Sequence, residues 1–169
     1  MPARQSGFTM IELVTVIILI GILAVVAIPR LDSSVFSQRG FRDAVVAVLS
    51  HAREAAIGSR RYVCVSLVNG SGATATVTVT RDLADADTSP AAAVSCTAAL
   101  PLPAAGSNCG GSNIICAPSS VSLGGTTALV FDPLGRSVVG STKLVAASAT
   151  ITVSGQDDIT VQPETGLVQ

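Results

Sequence analysis

The hydrophobic pattern of the chain begins with one long apolar run near the N-terminus. Residues 8–28 are apolar apart from small hydroxyl side chains and one carboxylate, that of Glu12. At about 1.5 Å per residue, a helix of this length is about 30 Å long, which is enough to cross the hydrocarbon core of a bilayer. The run therefore predicts a transmembrane helix over 8–28 with an acid near its start, where a charge is costly.

Residues 29–61 have the spacing of an amphipathic helix that continues the apolar run. Pro29 lacks an N–H group and is expected to loosen the helix at the exit from the membrane. Gly40 is predicted to be a second weak point, and Gly58 is predicted to end the helix. Six apolar residues fall at helical spacing on one face: Phe41, Val45, Val48, Leu49, Ala52 and Ala56. The whole helix would be about 50 residues long, well above the globular average.

Beyond Arg61 the hydrophobic period changes to 2, which is typical of β-strands. Residues 62–68 and 73–80 alternate and are rich in β-branched side chains, and the Asn-Gly-Ser-Gly between them predicts a hairpin. Residues 82–125 are rich in Ala, Ser, Gly and Pro, which predicts a long irregular loop. Later strands are predicted at 127–131, 136–139, 143–147, 149–153, 158–161 and 166–168. We therefore expect an α+β fold, in which a mainly antiparallel β head over 62–169 packs on the second half of the helix.

Cysteine usage places the head in an oxidising compartment. All four cysteines follow the apolar run, and an even number on the exported side of a membrane segment predicts two disulfides. Four cysteines allow three pairings. We favour Cys109 with Cys116, which closes a short local loop, and this leaves Cys64 with Cys96. No C-x-x-C spacing occurs that would favour a metal site instead.

Other candidate chemistry is sparse. His51 is the only histidine and has neither a second histidine for a metal site nor partners for a catalytic triad. The loop 82–87 offers three carboxylates that could hold Ca²⁺, but it lacks the spacing of an EF-hand loop, so we favour a solvated acidic loop. Arg136 follows Asp-Pro-Leu-Gly and is a weak ligand candidate; we favour a turn role for it. We expect no enzyme activity, no cofactor and no metal.

Three interpretations of the apolar run compete, and the residues before it decide among them. An ordinary signal peptide has a shorter apolar stretch, and a plain transmembrane anchor does not explain Glu12. The segment before the run, Met-Pro-Ala-Arg-Gln-Ser-Gly, is short and polar with one positive charge, and Phe8 follows Gly7. This region closely resembles the type IV prepilin N-terminus, because Gly-Phe-Thr-Met-Ile-Glu-Leu is followed by an apolar helix and then by Pro29.

This resemblance implies a processing pathway and a role for the acid. Residues 1–7 would be a leader that the prepilin peptidase removes between Gly7 and Phe8, after which Phe8 is N-methylated. The mature chain would wait in the bacterial inner membrane with its head in the periplasm, and then enter a filament. Its partners would be inner-membrane lipid, the assembly platform and other pilin subunits, which it contacts through the N-terminal helix. Glu12 would meet the free amine of Phe8 on a neighbouring subunit, since two buried charges that are costly alone neutralise each other as a pair.

The order of the later parts resembles the H-type minor pseudopilin and FimT-like minor pilin family. These parts are the helix, the hairpin, the cysteine-bearing loop, Phe-Asp-Pro-Leu-Gly-Arg at 131–136 and the closing stretch 151–168. The ending Pro-Glu-Thr-Gly-Leu-Val is most similar to the C-type minor pilins of the mannose-sensitive haemagglutinin (MSHA) pilus. The resemblance implies a type IV pilin fold and a structural role in filament initiation or tip assembly, with adhesion as a further role. The alternatives are a minor pseudopilin of a type II secretion system and a tip receptor for DNA or glycan.

Charge argues against the DNA alternative. Some FimT-like pilins are thought to bind DNA through a C-terminal Gly-Arg-x-Arg motif, but residues 166–168 lack arginine and 135–136 keep only half of the motif. From Tyr62 onward there are three bases and seven acids, so the head would repel phosphates. The helical segment 30–61 has six arginines and three acids. This surplus could attract either neighbouring acidic heads or anionic lipid.

Overall fold

The computed structural model describes residues 8–27, 33–84, 93–103 and 109–169. The chain divides into two compact units, Met1–Ser33 and Ser34–Gln169, which are considered separately. The predicted leader at 1–7, Pro29 and the acidic residues 85–87 lie outside the described residues.

The first unit contains one helix, α1, at Met10–Ala27. Thr9 caps the start of this helix. Its Oγ1 accepts a hydrogen bond from the backbone N–H of Glu12 at 3.3 Å, which satisfies one of the N–H groups that have no partner within the helix. Large apolar side chains are exposed along α1 between Met10 and Leu23. Among the residues that the structure describes, no helix combines the length and apolar character of a membrane span.

The second unit begins with helix α2 at Ser33–Ser59, which buries the face predicted from the sequence. Gly40 lies within the helix, so the predicted weak point there does not interrupt it. The helix ends at Ser59, one residue beyond Gly58. The next residue, Arg60, adopts a left-handed conformation with φ 54°. The N–H of Arg61 then donates to the C=O of Ala56 at 3.3 Å, which closes the helix in a Schellman motif.

Among the described residues that follow α2, the structure contains ten short strands and one 3₁₀ helix. The strands are β1 Val63–Val68, β2 Gly70–Ser71, β3 Thr76–Asp82, β4 Cys96–Ala99, β5 Ile114–Cys116, β6 Ser122–Gly125, β7 Ala128–Phe131, β8 Ser137–Val138, β9 Ala149–Val153 and β10 Ile159–Val161. A six-stranded sheet has the order β4-β3-β1-β7-β8, with β5 also paired to β3, and a four-stranded sheet has the order β10-β9-β6-β2. Every strand pairing in both sheets is antiparallel.

The buried faces of α2 and of both sheets share one hydrophobic core. In β1 the alternate residues Val63, Val65 and Leu67 are buried, as the period of 2 predicts for a strand with one covered face. Phe131 from β7 and Leu49 from α2 are among the largest fully buried side chains. The expected α+β class, with a helix packed on a mainly antiparallel β head, is confirmed, and this arrangement matches the architecture expected of a type IV pilin.

Three local predictions need correction. β1 pairs with β3, as the predicted hairpin requires. The connection between them is not a tight turn, because it contains β2 and the 3₁₀ helix Gly72–Thr74, and β2 pairs with β6 of the second sheet. Residues 82–125, predicted to be irregular, contain β4, β5 and β6 among their described residues. β4 and β6 are rich in small residues and β5 is only three residues long, so their pairing with β3 and β9 is what identifies them.

The predicted strands at 143–147 and 166–168 are present only as isolated bridges, Val138 with Val145 and Val161 with Val168. Lys143 adopts a left-handed conformation with φ 56°, which turns the chain at the point where the first of these strands was expected.

Candidate functional site

The N-terminal segment places Phe8 and Glu12 at the exposed start of α1. Phe8 is 82% exposed, and the side chain of Glu12 is also exposed. The backbone around Glu12 is fully engaged, because its N–H donates to Thr9 Oγ1 and its C=O accepts the hydroxyl of Thr15 at 2.9 Å. Gly7, the other predicted processing residue, lies outside the described residues. A group on another molecule can therefore reach the Glu12 side chain without disturbing the helix start.

The surface of α1 has the character of a packing surface. Phe8, Leu13, Val16 and Ile17 line a shallow groove of about 340 Å³ that is almost entirely apolar. A helix that is apolar on every side needs an apolar environment around it, either lipid or protein. The segment is therefore suited to contact other apolar helices along its length.

Arg136, the weak ligand candidate, is paired within its own turn. Its Nη2 lies 2.7 Å and its Nε 2.8 Å from Oδ2 of Asp132, which is buried. The other oxygen of Asp132 accepts the backbone N–H groups of Leu134 at 3.0 Å and Arg136 at 2.8 Å. The hydrogen bond that Arg136 donates to Asp132, together with the negative charge of Asp132, raises the pKa of Arg136. The geometry thus fits the turn role favoured from the sequence.

Arg53 is a central residue that the sequence did not single out. From α2 its Nε donates to the C=O of Thr165 at 2.8 Å and to the C=O of Gly135 at 3.3 Å. Gly135 and Gly166 both have positive φ, and a Cβ at Gly166 would lie 1.9 Å from the Gly135 oxygen. Arg53 therefore joins the two turns whose sequences carry the resemblance of the head to minor pilins.

The four cysteines form the favoured pairs. Cys64 is bonded to Cys96 with an S–S distance of 2.00 Å, which links β1 to the start of β4. Cys109 is bonded to Cys116 with an S–S distance of 1.99 Å and closes the local loop that leads into β5. These bonds tie the described parts of the 82–125 region to the sheet.

The other candidate residues do not converge on one site. His51 lies half-buried on α2, and its Nε2 has no hydrogen-bond partner among the described atoms. The carboxylate oxygens of Asp82 accept hydrogen bonds from the N–H groups of Ala84 at 2.8 Å and Ser95 at 3.0 Å. The other two carboxylates of the acidic loop lie outside the residues that the structure describes. Within the part of the chain that the structure describes, no cluster of three or more His, Cys, Asp or Glu residues could hold a metal ion.

Comparison with known proteins gives one family match and two structural neighbours. Two crystal structures of the type IV minor pilin FimU of Pseudomonas aeruginosa strain PAO1, in space groups P21 and P65, are similar over 75% of this chain and over 82% and 86% of theirs. Sequence identities are 14% and 15%, with TM-scores of 0.48 and 0.44. No curated protein matches the chain. Residues 2–28 match the family described as the prokaryotic N-terminal methylation motif, so the N-terminal segment carries the motif of type IV prepilins.

Proposed function

We propose that the chain is a minor pilin, a structural subunit of a type IV pilus that acts in filament initiation or at the tip. The observation that carries this proposal is the methylation motif over residues 2–28, whose helix α1 exposes apolar side chains along its length. Such a helix needs lipid or other apolar helices around it. The inner membrane would supply lipid before assembly, and neighbouring subunits would supply helices in the filament.

The processing steps follow from the same motif. The prepilin peptidase would cut between Gly7 and Phe8, and the new amine of Phe8 would be methylated. The exposed Glu12 would then receive this amine from a neighbouring subunit, which neutralises two charges that are each costly in an apolar environment. The pair would also favour one axial register between neighbouring helices.

The sequence of the head supports a narrower assignment. The ending 163–168 favours a minor pilin of an MSHA-like pilus, in which adhesion is a further role. A minor pseudopilin of a type II secretion system is the second candidate, because the prepilin leader is common to both systems. Pilus assembly genes or secretion genes beside the coding gene distinguish the two. In either system the chain acts as a structural subunit and not as an enzyme.

Replacement of Glu12 tests the proposal. In a Glu12→Val variant the neighbouring amine remains buried without its partner, and breaking such a pair costs about 3–5 kcal/mol. Since about 1.4 kcal/mol changes an equilibrium tenfold, the variant should insert and be cleaved normally but enter filaments poorly. The measurement is the amount of the protein in sheared filaments relative to the membrane fraction.

Two controls separate the pair from general effects on the helix. Thr15→Val also removes a polar side chain from α1 and should leave the ratio unchanged. Ile11→Glu combined with Glu12→Val restores an acid but displaces it by about 100° around the helix, so it should not restore assembly. A Glu12→Val variant with the wild-type ratio would contradict the proposed role of the acid in assembly.

A further inference from the structure

A groove of about 330 Å³ opens where the six-stranded sheet ends at β8. Its walls are β7, β8 with the two residues that follow it, and residues 146–149, which lead into β9 of the other sheet. None of the lining residues is charged, and alanine, glycine and serine make up much of the wall. The volume is within the range of about 300–1,000 Å³ that is usual for ligand pockets.

In one wall of the groove, the backbone of a single β7 residue, Ala128, lies unpaired between two engaged ones. The N–H of Thr126 donates to the C=O of Thr150 at 2.9 Å, and Val130 pairs with Val138 of β8. The N–H of Leu67 in β1 donates to the C=O of Thr127 at 2.8 Å, so the odd-numbered residues of β7 bond to β1. Ala128 therefore directs its N–H and C=O away from β1. The last residue pair of the ladder between β7 and β8 is Val130 with Val138. No residue of β8 therefore lies opposite Ala128. Among the described strands, none pairs with β7 on this side at Ala128.

A buried hydroxyl also lines the groove. Ser137 is 1% exposed, and its Oγ has no hydrogen-bond partner among the described atoms. Its backbone is satisfied, because the N–H donates to the C=O of Pro163 and the C=O accepts the N–H of Ala146, both at 2.9 Å. A buried polar group without a partner costs about 1–3 kcal/mol.

We infer that the groove binds an uncharged, extended peptide segment of a partner protein, which adds a short strand to β7 beside Ala128. The free backbone groups of Ala128 match those of a strand, and this mode of binding takes most of its affinity from main-chain hydrogen bonds. Small side chains at Gly140 and Ala147 let a peptide backbone approach closely. The wall carries no charge that would offset the desolvation of a charged side chain, so an uncharged segment fits. This inference goes beyond the proposed function and does not rest on it.

Titration of the full-length chain in detergent micelles tests the inference. The probe is the neutral peptide acetyl-Thr-Val-Thr-Val-Thr-amide, and the signal is the amide resonance of Ala128 in the isotope-labelled chain. We expect a saturable shift with this peptide. The same peptide N-methylated at all five residues lacks strand N–H donors and should not bind. Equal binding of the two peptides would indicate an apolar pocket without strand addition and would overturn the inference.

Two variants test the walls of the groove. Ser137→Ala should leave peptide binding nearly unchanged because its hydroxyl is enclosed, and the chain should stay at least as stable because no hydrogen bond of its own is lost. Ala147→Phe should fill the groove and abolish binding, whereas Ala73→Phe, at an exposed alanine of the 3₁₀ helix, should not. No saturable shift in the wild-type chain, or unchanged binding by Ala147→Phe, would contradict the inference.

Discussion

Single polar side chains of the head hold together turns that are far apart in the sequence. Asp132 closes its own turn, and Arg53 reaches from α2 to the carbonyl groups of Gly135 and Thr165. The Gly135 carbonyl is partly buried, so loss of its donor is costly because little water replaces the bond, whereas the Thr165 carbonyl lies at the surface. The packing of these two turns on α2 therefore depends on one guanidinium group.

Removal of the Arg53 guanidinium should destabilise the head. Arg53→Met keeps much of the aliphatic stem but leaves both carbonyl groups without their donor, so the free energy of unfolding should fall by about 1–2 kcal/mol. Arg39→Met, at an exposed arginine of the same helix, should change it by less than about 0.5 kcal/mol. Urea unfolding of the full-length chain in micelles, followed by circular dichroism, measures both. Equal effects of the two substitutions would show that Arg53 does not join the turns.

At the scale of the elements, α2 contains a residue that weakens it without an evident structural reason within the chain. Gly40 lies inside the helix, and a Cβ at this position would have no atom within 4 Å. Gly125 is the opposite case, because its φ is 91° and a Cβ there would lie 2.3 Å from the Thr150 oxygen. The first glycine is therefore free to change within the described chain, and the second is required by its strand.

Substitution of these two glycines should have opposite effects. Gly40→Ala should raise the free energy of unfolding by about 0.5–1 kcal/mol, since alanine loses less backbone entropy in a helix. Gly125→Ala should lower it by more than about 1 kcal/mol, because the backbone conformation and the Thr150 carbonyl both exclude a side chain. The same urea experiment compares them. A loss of stability in Gly40→Ala would mean that this part of α2 packs more closely than the structure describes.

The two disulfides should contribute unequally to the stability of the β head. Cys64 and Cys96 are 32 residues apart, whereas Cys109 and Cys116 are 7 apart. Chain-entropy arguments give about 4 kcal/mol for the longer loop and about 2 kcal/mol for the shorter one. Replacing both cysteines of one pair by serine should therefore lower the urea midpoint more for the first pair. The reverse order would show that native contacts outweigh the constraint on the unfolded chain.

At the scale of the whole molecule, two units have different requirements. The second unit has its own hydrophobic core, which α2 and both sheets share, and two disulfides, so it is stabilised by its internal contacts. The segment with α1 instead exposes large apolar side chains and needs surroundings that the described chain does not provide. The proposed processing at Gly7 would leave this segment as the N-terminus of the mature protein.

Blocking cleavage tests this processing directly. Gly7→Val should leave a full-length precursor in the membrane fraction, because the peptidase is expected to need a small residue at this position, whereas Ser6→Ala should be processed normally. In the wild type, mass spectrometry of the mature N-terminus should find N-methylated Phe8. A mature chain that begins near Ile28 would instead indicate an ordinary signal peptide.

The sequence by itself determined the features that depend on local spacing. The helical period places the buried face of α2, the period of 2 places β1 and most of β3, and the apolar run with its methylation motif places α1. Each of these signals comes from side chains a few residues apart, since one turn of helix or two residues of strand bring them to the same face. The role of Glu12 in assembly also rests on a short motif, and it stays a prediction.

Only the tertiary structure decided the features that depend on partners far along the chain. The strands β4 and β6 are composed largely of small or polar residues, and β5 is only three residues long. Their own sequences therefore do not identify them, and pairing with other strands defines them. Arg53 gains its role from carbonyl groups 82 and 112 residues away. The groove beside Ala128 exists because β8 ends early and the chain crosses to the second sheet, and neither local period nor propensity encodes where a ladder stops.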